Sequence, residues 1–77
     1  MLYLARLLHS LDGSLLRNRV VETIDGCVNN IYPFEGETQS MILVDEMCLE
    51  KKISHLDEGG RLYAYSLNSQ GEPVLLK

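Results

Sequence analysis

His9, Cys27, Cys48 and His55 are the soft metal ligands of this chain, apart from its methionines. Two imidazoles and two thiolates could complete a tetrahedral zinc site. Their spacing argues against one. Metal sites in small domains usually start from a local pair such as Cys-x-x-Cys or His-x-x-x-His, and neither occurs here. The expectation is therefore no metal and no cofactor, with two small packed thiols and two surface imidazoles.

Nucleophilic chemistry fares no better. A reactive cysteine needs a base and surroundings that favour the thiolate. Cys48 sits among Met47, Leu49 and Glu50, and apolar or acidic neighbours raise a thiol's pKa. Asp45, Glu46 and Glu50, with Glu35 and Glu37 upstream, do not make a working carboxylate pair unless a cleft holds them apart. Asp57-Glu58-Gly59-Gly60 has glycines but no following Lys or Ser/Thr to cradle phosphate, so it reads as a turn. No residue is assigned a catalytic role, and the chain is not expected to be an enzyme.

Two features suit recognition instead. Tyr32, Phe34, Tyr63 and Tyr65 could line an apolar contact surface, because aromatic side chains bury much area with few rotors. Asn29, Asn30 and His55 are the first polar groups to consider for a small ligand, which would require a concave site with convergent donors and acceptors.

These residues need elements to hold them. Turn signals recur along the chain at Asp12-Gly13-Ser14, Asp25-Gly26, Glu35-Gly36, Gly59-Gly60 and Gln70-Gly71. Asp-Gly between apolar-rich runs is a strong hairpin signal, since both residues tolerate positive φ. The cuts leave short segments that suit a meander of strands. Residues 15–24 end in β-branched side chains. Residues 27–32 would put Cys27, Asn29 and Ile31 on one face and Val28, Asn30 and Tyr32 on the other. Pro33 stops that strand or confines it to an edge. The run Met41-Ile42-Leu43-Val44 suits a strand with both faces covered. Residues 61–67 alternate, and residues 73–76 can close the sheet. Two segments stay open between helix and strand. Leu4, Leu7, Leu8 and Leu11 recur at helical spacing, and so do Met41, Val44 and Cys48.

Composition bounds the rest. With 77 residues the chain has one domain's worth of sequence, and a core with no Trp and one Phe is small. Such domains often gain stability by burying a face against another copy. The net charge is −4 and the seven Lys and Arg are scattered. Nucleic acid and anionic membranes both favour a concentrated basic face, so neither is an expected partner. No apolar run approaches the roughly 20 residues that span a bilayer. Residues 1–11 are apolar-rich but contain Arg6 and His9 and read as part of the fold rather than a signal peptide. Two cysteines do not make a disulfide framework, which points to a reduced, cytoplasmic setting.

The order Leu4-Ala5-Arg6-Leu7-Leu8, Asp12-Gly13, then Val20-Val21-Glu22-Thr23-Ile24-Asp25-Gly26-Cys27-Val28-Asn29-Asn30-Ile31 resembles the N-terminal β portion of amidohydrolase-type metal-dependent hydrolases. In that family the segment builds a small composite β domain beside a metal-binding barrel. The resemblance implies a β-sandwich-like fold without the catalytic half. The His-x-His motif that opens the barrel is missing, and 77 residues are far short of the roughly 250 a barrel needs. No metal or catalytic residue carries over.

The expectation is a single all-β or β-rich domain over residues 1–77. It is a small sandwich or open barrel of roughly six to seven short strands, with room for one short helix. Its expected role is that of a non-catalytic structural or interaction domain, a homodimer or the partner of another protein. The alternative is a small-ligand or metal-binding accessory module of a hydrolase.

Overall fold

The computed structural model describes residues 1–36, 40–54 and 57–77. They form one six-stranded mixed sheet that curls without closing into a barrel. The strands are β1 (Leu2–His9), β2 (Leu15–Ile24), β3 (Cys27–Pro33), β4 (Ile42–Ser54), β5 (Asp57–Leu67) and β6 (Pro73–Leu75). Their order across the sheet is β3-β2-β1-β4-β5-β6. Every pairing is antiparallel except β1 with β4, which is parallel. The simple meander expected from the turns is thus two antiparallel meanders joined along their first strands. No helix forms among the described residues, and none is long and apolar enough to cross a membrane.

The turn chemistry explains the connections. Asp25 (φ 52°) and Gly26 (φ 80°) link Ile24 directly to its partner Cys27, as a tight hairpin with both central residues at positive φ requires. The loops Ser10–Ser14 and Asn68–Glu72 share one backbone pattern. In the first, Ser10 N–H donates to Ser14 O and Gly13 N–H to Ser10 O. In the second, Asn68 N–H donates to Glu72 O and Gly71 N–H to Asn68 O. The glycine in each supplies the left-handed residue the pattern needs.

One core cluster holds Tyr3, Ala5, Leu8, Val21, Val44, Met47 and Ala64, with Leu16, Val28, Ile31, Leu49 and Leu76 packed against it. This set breaks strict alternation. In a regular strand Ala5 and Leu8 would face opposite sides, and so would Val44 and Met47, or Val21 and Leu16. All three changes occur at one level. Pairing runs from Ala5↔Arg19 to Leu7↔Arg17 and from Ala5↔Val44 to Leu7↔Glu46, leaving Arg6, Asn18 and Asp45 between. Asn18 adopts φ 52°. The three strands therefore rotate together, keep their register, and wrap the sheet around its own concave side. A register shift at Glu22/Thr23 does the same for β3, and both Val28 and Ile31 reach the core. This corrects the expected faces of residues 27–32.

Further corrections follow from the same geometry. Both segments open between helix and strand are strands, and the side chains at helical spacing divide between the two faces, Leu8 and Val44 inward and Leu4 and Cys48 outward. The run 41–44 is not covered on both faces: Val44 is buried, whereas Leu43 is 76% exposed. Gly59-Gly60 is not a turn but lies inside β5, where Gly60 (φ 74°) faces an irregular stretch of β4. Pro33 does end an edge strand.

The chain's last residues strap the concave side. Leu76 N–H donates to Ala64 O at 2.9 Å. The main-chain oxygen of Lys77 accepts from Tyr3 Oη at 2.8 Å and from Thr23 Oγ1 at 2.7 Å. Tyr3 and Thr23 are both buried, so this one acceptor satisfies two hydroxyls that burial would otherwise penalise.

Two stability predictions result. A Cβ on Gly60 would stand 2.9 Å from Ile53 Cγ1 and 3.2 Å from Lys52 O, whereas Gly13, also at positive φ, has open space around it. Gly60→Ala should cost more than the roughly 1 kcal/mol expected of Gly13→Ala from backbone strain alone. Equal urea midpoints for the two variants would contradict the crowding. Tyr3→Phe and Thr23→Val should each cost about 1 kcal/mol. The double variant should lose more than the sum, since Lys77 O then has neither donor. Strict additivity in the double-mutant cycle would show that the acceptor is not shared.

Candidate functional site

Because Leu8, Met47 and Leu49 point inward, His9, Glu46 and Cys48 point outward from β1 and β4. His9 and Cys48 are partners in the parallel register. His9 Nε2 lies 2.7 Å from Glu46 Oε2. A thiol, an imidazole and a carboxylate thus share one face. The constellation lacks what nucleophilic chemistry requires. Burial, with Glu50 and Glu46 adding to it, pushes the Cys48 thiol above its ordinary value, so it stays protonated at neutral pH. The face is convex, and the three clefts described below are lined by other residues.

The sequence-nominated ligands do not converge. Cys27 lies beside the β2–β3 hairpin, away from Cys48 in the strand order, and both thiols are free. His55 lies outside the described residues, as does Glu37. Among the described residues no group of three or more His, Cys, Asp or Glu side chains could hold a metal ion. Asn29 Nδ2 donates to Glu22 Oε1 at 2.6 Å, and Asn30 Oδ1 accepts from the Ile31 N–H. The first of these amides borders a cleft.

That cleft is the seam of the unclosed barrel. The curl brings β3 towards β5, and the gap of about 540 Å³ is lined by Cys27, Val28 and Asn29 on one side and Gly59–Leu62 on the other, with Lys51 beside them. Its volume is in the range of small-ligand pockets, but it opens widely between the strands.

The aromatic residues divide into two places. Tyr63 and Tyr65 face outward from β5, opposite Glu50 and Cys48. The Lys52 ammonium lies 5.5 Å from the Tyr63 ring centre and 5.9 Å from that of Tyr65, within cation–π reach. A hydrogen bond to Tyr65 and the charges of Tyr65 and Glu50 hold Lys52 above its ordinary value. Tyr32 and Phe34 stand at the other end of the strand order. Tyr32 pairs with Val20 on β2, and Phe34 N–H donates to Asn18 O just beyond β3.

Sequence reasoning missed an apolar feature of the sheet. Tyr32, Val20, Leu4 and Leu43 are successive cross-strand partners from β3 to β4, so they form one row on the convex face. Val20 at its centre is 1% exposed, and the row ends in Leu43. Beside it lies a groove of about 420 Å³ lined by Leu4, Arg6, Asn18, Leu43, Val44 and Asp45. A second groove of about 550 Å³ is lined by Met1, Leu2, Ser40, Met41 and Ile42. The signal was present in the alternation Leu2, Leu4 and in the apolar run 41–44, but only the register makes them neighbours. Arg6 and Asp45, hydrogen-bonded to each other, bound the row.

Compared with known proteins, the chain matches no family model, no curated protein and no solved structure. Its geometry alone carries the functional reading.

The Arg6 guanidinium holds the Asp45 carboxyl below the ordinary carboxylate range. A depressed folded-state pKa means that the pair's contribution is present above the unfolded value and lost as pH falls through the folded one. Arg6→Ala should return the Asp45 midpoint to the ordinary range in an NMR pH titration. An unchanged midpoint would show that the pair is not formed in solution.

Proposed function

We propose that this chain is a non-catalytic structural and interaction domain that acts first through self-association. Its exposed apolar side chains carry the reading. Met1, Leu11, Ile24, Leu43, Ile53, Val74 and Leu75 are each about half exposed or more. Apolar surface left in water is a source of association free energy.

The raised Cys48 thiol and the dispersed ligand set favour binding over chemistry. The curled all-β sheet is compatible with an accessory domain resembling the composite β domain of amidohydrolase-type hydrolases. A small-ligand role would place its ligand in the seam cleft, where Asn29 and Lys51 supply polar groups. Two unpaired thiols suit a reduced, cytoplasmic setting.

Light scattering on a sizing column across a concentration series tests the proposal. A molar mass near twice 8.7 kDa that falls on dilution is expected. A monomer persisting at high micromolar concentration would overturn self-association and leave the seam cleft as the better reading.

A further inference from the structure

We infer that the seam between β3 and β5 binds a small aliphatic monocarboxylate, with Lys51 receiving the carboxylate and the aliphatic side chains of the seam covering the tail. This site does not depend on self-association.

The seam suits a small molecule and not an inserted strand. Cα atoms of β3 and β5 approach within 8 Å of each other, whereas two strands that flank a third stand about 9.6 Å apart. A strand would have to prise them open where they approach. A small molecule need not, and the gap of about 540 Å³ has room for one.

The lining has two characters. Leu11, Ile24, Val28 and Leu62 supply the apolar part. Leu11 is 53% exposed and Ile24 is 54% exposed, so a hydrocarbon tail laid against them removes apolar surface from water on both partners. Among the described residues no aromatic ring lines the cleft, which leaves a planar base or ring nothing to stack on.

Lys51 sets the polar part. Leu49 and Ala64 are cross-strand partners on the core side, and by alternation the next pair on that side is Lys51 and Leu62. A lysine thus stands where the strand would otherwise place another core side chain. Gly60 makes room for its stem, since a Cβ there would lie 3.0 Å from Lys51 Cε. Among the described residues the Lys51 ammonium has no hydrogen-bond or ion-pair partner. Across the seam, Asn29 donates one amide hydrogen to Glu22 and keeps the other.

Charge then selects the ligand. In a chain of net charge −4, the described residues lining this cleft include two cations, Lys51 and Arg61, and one anion, Asp25. The two apolar grooves give an anion no such partner: Arg6 is paired with Asp45, and the Met1 ammonium donates to Thr23 O. One unpaired ammonium, in a fold whose described residues form no helix N-terminus, matches the single charge of a carboxylate better than the two of a phosphate.

Titrating octanoate, below its micelle-forming concentration, into the isotopically labelled full chain at neutral pH tests the site. Saturable amide shifts centred on residues 24–29 and 59–62 are expected. Lys51→Gln removes the charge at an exposed position, so the fold should be kept, and its thermal midpoint checks that it is. Its octanoate Kd should rise roughly fivefold, as the loss of one partly exposed ion pair implies, whereas octan-1-ol should bind parent and variant equally. Shifts that do not saturate, shifts centred on Leu4 and Leu43, or equal octanoate affinity in parent and variant would each overturn the assignment. Lys51 would then be an inward charge that guards a sheet edge. Molar mass is read separately, so a monomer that binds octanoate overturns self-association alone, and a dimer that does not bind it overturns this site alone.

Discussion

The structure depends on one constraint: a single sheet with no helix to cover it must supply both walls of its own core. A flat sheet of these strands would leave every inward side chain facing water on the far side. The joint rotation at Arg6, Asn18 and Asp45 removes that problem. Below that level Tyr3, Ala5, Val21 and Val44 point into the core, and above it Leu8, Leu16, Met47 and Leu49 do. The register is the same on both sides of the bend, so backbone pairing resumes on either side of it. Isolated rotation in one strand would have left its neighbours with mismatched faces. The exposed Arg6–Asp45 pair lies at the bend itself and links the two parallel strands there. Exposed pairs are worth little individually, and the effect here is on geometry more than on stability.

Wrapping has a price in edges. A closed barrel has none, but six strands that only approach closure leave β3 and β5 facing each other across a cleft and leave one side of β4 open before Met47. The terminal residues answer part of this. Leu76 joins the core and Lys77 O collects the two buried hydroxyls, so the strap both caps the concave side and satisfies polar groups that apolar packing alone would strand. Among the described residues nothing comparable covers the far side of Ile42–Asp45. The same curvature that makes a core possible in so short a chain therefore leaves an apolar edge, with Leu43 76% exposed.

The hairpins and the strand-rich class were legible because they are local. Asp25-Gly26, Gly13 and Gly71 announce backbone conformations that few other residues adopt. The bend was not legible, because it requires knowing that residues 6, 18 and 45 lie side by side. Helical spacing did not reveal it either: Leu4, Leu7 and Leu8, or Met41, Val44 and Cys48, recur at intervals of three and four, yet Leu8 and Val44 point inward while Leu4 and Cys48 point outward. Gly60 misled for a related reason: a glycine that permits a close approach inside a strand looks, in isolation, like a glycine that permits a turn. The aromatic set was visible by composition, but its division between β3 and β5 is a matter of strand order.

Curvature also bears on what kind of function such a sheet can host. Chemistry needs reacting groups held where water can be excluded. Here the concave side is filled by the core and its strap. His9, Glu46 and Cys48 are left on the convex side, where the thiol is kept protonated by partial burial and by Glu50 and Glu46. A convex face suits a different task. Cross-strand partners such as Tyr32, Val20, Leu4 and Leu43 form a continuous apolar row because the pleat puts them in line, with Val20 covered and Leu43 left in water. Sequence economy points the same way. A chain of 77 residues that places aliphatic side chains on both sides of one sheet builds one core on the concave side and leaves others, Leu43 among them, in water.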